Sequence, residues 1–364
     1  MRSLAQILVA ATAIAFTAVV AAAPAVPTTQ KQYRLSRSGK SGPFQLQVVD
    51  APVRAPEAGE VLVRVRAASL NRHDVFVLKG AMTSLENLVP LSDGAGEVVA
   101  LGEGSRRFHV GDHVASLFFQ GWISGRPPNV VGTVTGSDLD GMLSQYVTMN
   151  EQNLVKLPAH LSFEEGATLP CAGVTAWNGL VTRGHMQPGD FVLLEGTGGV
   201  SVLGLQFAVA AGAKPIITSS HDEKLVRAKA LGAIGTVNYK TTPDWEKSVR
   251  ELTGGQGVQE ALEVGGKDSL PHAVASLARG GHIALIGGLG GFGGEIPATA
   301  LMGAGITVSG IYVGSRENFE AMNAFIEQHK IKPVVDKVFD FKDAQAAFDL
   351  MEADNFFGKI VIDL

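Results

Sequence analysis

A chain of 364 residues with 46% hydrophobic and 18% charged residues has globular composition and length enough for two domains. Its net charge of −5 supplies no basic field for nucleic acid, and no long run of like charge suggests a tail. The single cysteine, Cys171, excludes an intramolecular disulfide and a cysteine-rich zinc lobe.

The chain opens on a leader pattern. Arg2 precedes an apolar run from Ile7 to Ala23, and Ala23-Pro24-Ala25 satisfies the small-x-small rule for cleavage. Residues 1–25 therefore read as a secretory signal, with a secreted or lumenal enzyme as the consequence. An uncleaved anchor, or an over-extended start that leaves the protein cytoplasmic, is the alternative.

From Gln32 the text is β in character. EVLVRVRAASLN (60–71) alternates Val61, Val63 and Val65, the period of a half-buried strand. In VPLSDGAGEVVALGEG (89–104) a strand is expected from Glu97 to Leu101, with the glycines shaping turns. Strands at 111–118 and 144–158 complete a β-rich domain over 32–158. Beyond it, strands alternate with helices at 191–196, 200–213, 215–220, 222–233, 236–239, 260–266, 282–288 and 306–314. That alternation predicts an α/β domain over 159–320 with a doubly wound parallel sheet. The tail reads as a helix flanked by strands. Its last strand, KIVIDL, is expected to return over 328–364 to the first domain.

GTGGVS, 196–201, stands between the apolar strand FVLLE and the helix VSVLGLQFAVA. Strand–turn–helix placement is what gives a glycine fingerprint its meaning. Gly196 permits a tight turn, while Gly198, Gly199 and Val200 bring backbone amides toward a pyrophosphate at a helix N-terminus. Ser201 replaces a third glycine and is small enough for close helix–strand packing. An NAD-specific unit places a carboxylate at the end of the second strand to accept from the ribose hydroxyl. Here the position reads Ser219-Ser220-His221, with Lys224 following, which suits the 2′-phosphate of NADPH. Asp222 is expected to cap the next helix. Gly265, Gly287 and the Val313-Gly314-Ser315 segment fall at carboxyl ends of strands, where ligands bind in open sheets.

SLN-x-x-D, GAGEVVALGEGSRRFHVGDHV, LPCAGVTAWNGL and GTGGVS occur here in that order. In this arrangement the chain, over residues 32–364, resembles the medium-chain dehydrogenase/reductase superfamily. It looks most like the zinc-free, quinone-oxidoreductase-like branch often labelled zinc-type alcohol dehydrogenase-like. The resemblance implies a GroES-like catalytic domain and a Rossmann dinucleotide-binding domain. It also implies a homodimer, joined through the edge strand ITVSGIYV.

The catalytic zinc ligands of the superfamily are a Cys, the His of a Gly-His-Glu triplet and a second Cys. They fall here on Asn71, Ser92 and Cys171, and the triplet's Glu falls on Asp93, which is expected as a carboxylate of the catalytic pocket wall. One thiol from three ligands argues against metal. A replacement set of Asp93, Cys171 and His73 is the alternative. The resemblance further implies that Asn71 and Asp74 line the nicotinamide pocket, and that His73 takes the place of a proton-relay hydroxyl. A structural carboxylate is the alternative for Asp74, and a solvated loop residue for His73. By the same resemblance Thr175 lies near the nicotinamide ribose, Ser220, Lys224 and Tyr239 surround the 2′-phosphate, and Lys359 closes on the cofactor. An exposed lysine before a strand is the ordinary alternative for Lys359. Phe118, Phe119 and Trp122, in the 118–141 loop, suggest an apolar substrate pocket or surface packing.

Two classes of function follow. One is an NADPH-dependent, zinc-independent reductase of quinones, enones or enals, or instead a dehydrogenase/ketoreductase of small or aromatic alcohols. The other is a non-catalytic NADPH-binding protein.

Overall fold

The computed structural model describes residues 26–37, 39, 42–291, 293 and 295–364. The leader, 1–25, lies outside the described residues. No helix among the described residues is long and apolar enough to cross a membrane.

Strands β1 (Thr29–Ser36) and β2 (Gln45–Pro52) form an antiparallel pair. The catalytic-side sheet is built from β3 (Glu60–Ser69), β4 (Asp93–Leu101), β5 (His113–Ser116), β6 (Tyr146–Asn150) and β7 (Leu154–Lys156). The alternation read in β3 is real: Val61, Val63 and Val65 are buried with Val98 and Val114 from neighbouring strands. β4 starts at Asp93 rather than Glu97, so Gly94 and Gly96 lie inside a strand and not in turns. The reason is close approach. A Cβ on Gly96 would stand 2.2 Å from the Arg64 carbonyl oxygen, and one on Gly94 would stand 2.6 Å from the Met142 side chain.

The second sheet comprises β8 (Phe191–Leu194), β9 (Lys214–Ser219), β10 (Gly235–Asn238), β11 (Val258–Glu263), β12 (Leu277–Leu285) and β13 (Thr307–Gly310). All six are parallel in the order β10-β9-β8-β11-β12-β13. The order reverses between β8 and β11, which opens a crevice at their carboxyl ends. β13, much shorter than the 306–314 reading, is the outer strand on one side.

The chain then returns. β14 (Val335–Asp340), the helix Ala344–Ala353 and β15 (Lys359–Asp363) follow, and β15 pairs antiparallel with β3. Gly358 also bridges Gly198, its amide donating to the Thr197 carbonyl at 3.0 Å. The last strand thus joins the glycine turn to the catalytic sheet. One apolar core runs through the junction, from Ala67, Ala95 and Phe119 to Leu194, Val202 and Phe207. The crevice thus lies between two sheets that share a core.

Candidate functional site: a dinucleotide crevice facing a filled metal position

A cavity of about 550 Å³ lies in this crevice. Its floor is the turn at 196–199. Gly196 has φ of 72°, a left-handed conformation open to glycine, and a Cβ on Gly198 would meet nothing within 4 Å, so that backbone is bare to the cavity. The helix Gly199–Ala210 begins there with no side-chain cap, leaving its first amides for a ligand. Ser201 is buried, and its hydroxyl donates to the Glu195 carbonyl at 2.5 Å. Close packing on the sheet falls to Gly204, where a Cβ would approach Leu262 to 2.8 Å. This turn, its amides and the cavity above fit a nicotinamide dinucleotide.

Opposite the turn, the four positions corresponding to a zinc site come together. The Asn71 amide donates to Ser92 Oγ at 3.3 Å, and Ser92 Oγ donates to Asp93 Oδ1 at 2.7 Å. The Cys171 backbone N–H donates to Asp93 Oδ2 at 3.0 Å. Lys359 enters the same cluster from β15. Its Nζ donates to Asn71 Oδ1 at 2.6 Å and to the Leu70 carbonyl at 2.5 Å, and it is buried rather than exposed. Asp74 stands behind them, accepting from the amides of Asn71 and Ser92.

Burial decides the electrostatics here. It raises Asp74 to about 7, with Asp93 adding to the rise. Burial also raises Asp93, against the pull of Lys359, and lowers Lys359, against the pull of Asp93. The Cys171 thiol is pushed well above its usual range by burial and then by Asp93. Among the described residues no three His, Cys, Asp or Glu side chains are grouped to hold a metal ion. The Asn71 amide, bonded to Lys359, and the Ser92 hydroxyl, bonded to Asn71, leave a single thiol and do not supply the ligand set of zinc. His73 is not part of the cluster. It stands edge-on to Phe118 with ring centroids 5.3 Å apart, and burial lowers it to about 4. Burial therefore favours the neutral imidazole at neutral pH.

Asn71, His73, Thr175, Gly196, Gly198, Gly199, Val200, Ser219, Ser220, Lys224, Tyr239, Gly287, Val313 and Lys359 all line the cavity. Asp74 and Asp93 do not; they lie in the layer behind it. Gly265 is also off the wall, and a Cβ there would meet Ser269 Oγ at 2.3 Å, so its role is clearance. Ser315 is a helix cap: its hydroxyl accepts from the Asn318 amide before the helix Arg316–His329. Lys224 is buried with its Nζ on the Asp354 carbonyl at 2.9 Å, which links β9's helix to the returning segment. Asp222 does not cap. His221 takes the cap position, and Asp222 accepts from Asn238 Nδ2 at 2.7 Å, away from the cavity.

The remaining wall is apolar. Phe76, Met82, Phe118, Leu289 and Tyr312 contribute, and Tyr312 packs edge-on against Phe119 at 4.7 Å. Phe119 and Trp122 are core residues supporting that wall, so the loop aromatics divide between the two readings. Sequence reasoning missed Phe76, Met82, Asp354 and Glu195. Glu195 had a signal, a carboxylate ending the apolar strand FVLL; the others depend on how distant segments meet.

The alcohol dehydrogenase GroES-like domain family matches residues 57–159, and the zinc-binding dehydrogenase family matches residues 199–328. A zinc-type alcohol dehydrogenase-like protein of Schizosaccharomyces pombe is 43% identical over 315 residues, covering 84% of this chain and 91% of its own. The crystal structure of an NAD-dependent alcohol dehydrogenase superposes with a TM-score of 0.82 at 35% identity, covering 92% and 99% of the two chains. A crotonyl-CoA carboxylase/reductase superposes with a TM-score of 0.83 at 25% identity, covering 93% and 89%. With its two sheets, its dinucleotide crevice and these relatives, the chain belongs to the medium-chain dehydrogenase/reductase superfamily, as a nicotinamide-dependent oxidoreductase.

Proposed function

We propose that the protein is an NADPH-dependent, zinc-independent reductase of activated carbonyls or alkenes such as quinones, enones and enals. The observation carrying this reading is the Lys359–Asn71–Ser92–Asp93 hydrogen-bond chain, which fills the position where a zinc enzyme of the superfamily needs soft ligands. Bound NADPH supplies the hydride. The Gly196–Gly199 amides hold its pyrophosphate, and Ser220, Lys224 and Tyr239 stand where a 2′-phosphate reaches. No carboxylate at the end of β9 competes for that phosphate, since Asp222 is engaged with Asn238.

Phe76, Phe118 and Tyr312 exclude water and hold an apolar substrate against the nicotinamide face. Asn71 and Lys359 are the polar groups of that face, and hydrogen-bond donors alone suffice for a substrate that is already electrophilic. The proton after hydride addition comes from Lys359 or water, since burial disfavours the charged form of His73. The names of the relatives favour a second reading, an alcohol dehydrogenase or ketoreductase. A homodimer through β13, and a secreted or lumenal location set by the leader, complete the proposal.

The test is a panel assay with NADPH and quinones, enals, ketones and alcohols, followed at the nicotinamide absorbance. Turnover of quinones or enals above ketones supports the reading. Turnover confined to alcohols and simple ketones transfers it to the second, and tight binding without turnover identifies a cofactor-binding protein.

A further inference from the structure

β8 is wholly apolar, and Glu195 follows its last residue, at the threshold of the glycine turn. Glu195 is 5% exposed and lines the cavity, yet neither carboxyl oxygen has a hydrogen-bond partner among the described residues. Its neighbour across the sheet is Glu263, the last residue of β11, which is fully buried. The well-formed hydrogen bonds at this spot go to Glu263: the Gly266 amide reaches it at 2.7 Å, and the Ser269 hydroxyl at 2.8 and 3.0 Å. The rest of the surroundings offer no counter-charge. β9 presents Thr218, whose hydroxyl accepts from the Gly196 amide, and the helix Gly199–Ala210 presents Ser201 to the Glu195 carbonyl. Lys267 lies along Gly291, Asp268 beside Gly290, and Lys359 against Gly199. No cation is bonded to either carboxyl among the described residues.

Two adjacent buried carboxyls without a cation cannot both ionise. Glu263 has the donors that stabilise a carboxylate, so the shared proton resides on Glu195. Burial and then the repulsion of Glu263 hold Glu195 well above the ordinary carboxyl range, against smaller opposing pulls from the Gly265 amide and the Ser269 hydroxyl.

We propose that Glu195 is a further cofactor-site residue that works as a neutral carboxylic acid, and that the dinucleotide binds the Gly196–Gly199 turn only with this acid protonated. The inference rests on the nicotinamide-dinucleotide reading of the turn, and not on the choice of NADPH or on the substrate. The ligand brings the negative charge of its pyrophosphate to the turn that Glu195 adjoins. An ionised Glu195 beside Glu263 adds repulsion there, so the ligand selects the protonated pair. Above the titration of the free pair, one proton from solvent accompanies each dinucleotide bound.

The experiment is titration of the full chain with NADPH and with NADH between pH 6 and 9, by nicotinamide fluorescence. Calorimetry at the alkaline end, in two buffers of different ionisation enthalpy, counts protons. The wild-type Kd should weaken on the alkaline limb, approaching about tenfold per pH unit, with uptake near one proton. NADH should show the same slope, which separates it from titration of the 2′-phosphate. Glu195→Gln, which keeps the shape and removes the proton, should bind with a flat profile and no uptake. An unchanged alkaline slope and uptake in Glu195→Gln overturns the proposal, as does a wild-type protein that takes up no proton at any pH. The wild-type measurement decides alone if the variant does not fold. Failure of the folded wild type to bind either dinucleotide contradicts the cofactor reading itself, a result distinct from a flat profile.

Discussion

Lys359 donates its ammonium to Asn71 Oδ1 across 2.6 Å, joining the last strand of the chain to the residue that stands at a metal-ligand position. The ammonium also faces two buried carboxyls, Asp93 first and then Asp74. Lys359→Met should therefore cost about 3–5 kcal/mol of stability at neutral pH, the range for removing one partner from a buried charge cluster. Adding Asp93→Asn should recover part of the loss, because it removes one of the orphaned charges. Urea unfolding of both variants at pH 7 measures the difference. Equal stability of Lys359→Met and wild type contradicts the charge assignment.

Around the 2′-phosphate position the prediction concerns ratios. Lys224→Ala should weaken NADPH by about tenfold relative to NADH, the worth of about 1.4 kcal/mol, while leaving NADH affinity close to wild type. Ser219→Asp should move preference toward NADH by supplying the missing carboxylate. Fluorescence titration with both cofactors is the measurement, and parallel losses for the two would mean that Lys224 acts only through its bond to Asp354.

His73 makes a prediction about pH. Its folded-state value of about 4 lies below the ordinary histidine value of 6.5. Between those limits the unfolded chain binds the additional proton, so this histidine's contribution is present above pH 6.5 and disappears as pH falls to 4. The difference corresponds to about 3 kcal/mol. His73→Phe should flatten the acid side of the stability profile in that window. Turnover at pH 7 should be unchanged, since a neutral imidazole is not the acid. A large fall in turnover with an altered pH–rate profile restores His73 as a proton donor.

Strand β4 was only half legible in the sequence. Its apolar end, Glu97 to Leu101, shows by alternation, but Gly94 and Gly96 look like turn residues because crowding by Arg64 and Met142 is a tertiary fact. Gly96→Ala should cost about 3 kcal/mol through overpacking against backbone. Gly104→Ala has φ of 75° but nothing within 4 Å, and should cost nearer about 1 kcal/mol. Denaturant midpoints of the two variants test the order, and a reversed order refutes the packing explanation.

The same division runs through the site. The glycine turn, the parallel sheet and the returning last strand were readable because strand–turn–helix periodicity is local. Ser219, Ser220 and Lys224 were found because their spacing from that turn is fixed by β9. Three site features were not legible. Ser315 mimics a ligand residue at a strand end but caps a helix. Lys359 was named as closing on the cofactor, but its bond to Asn71 shows only once β15 is paired with β3. The acid pair of Glu195 and Glu263 needs the β8–β11 neighbourhood, which crosses more than sixty residues of chain.

Zinc independence is the central claim, and metal dependence of turnover tests it most directly. The protein should be treated with a strong chelator, assayed for zinc content, and then followed with NADPH and its best quinone or enal. The account predicts substoichiometric zinc and unchanged turnover before and after treatment. Turnover abolished by the chelator and restored by one equivalent of zinc would contradict it.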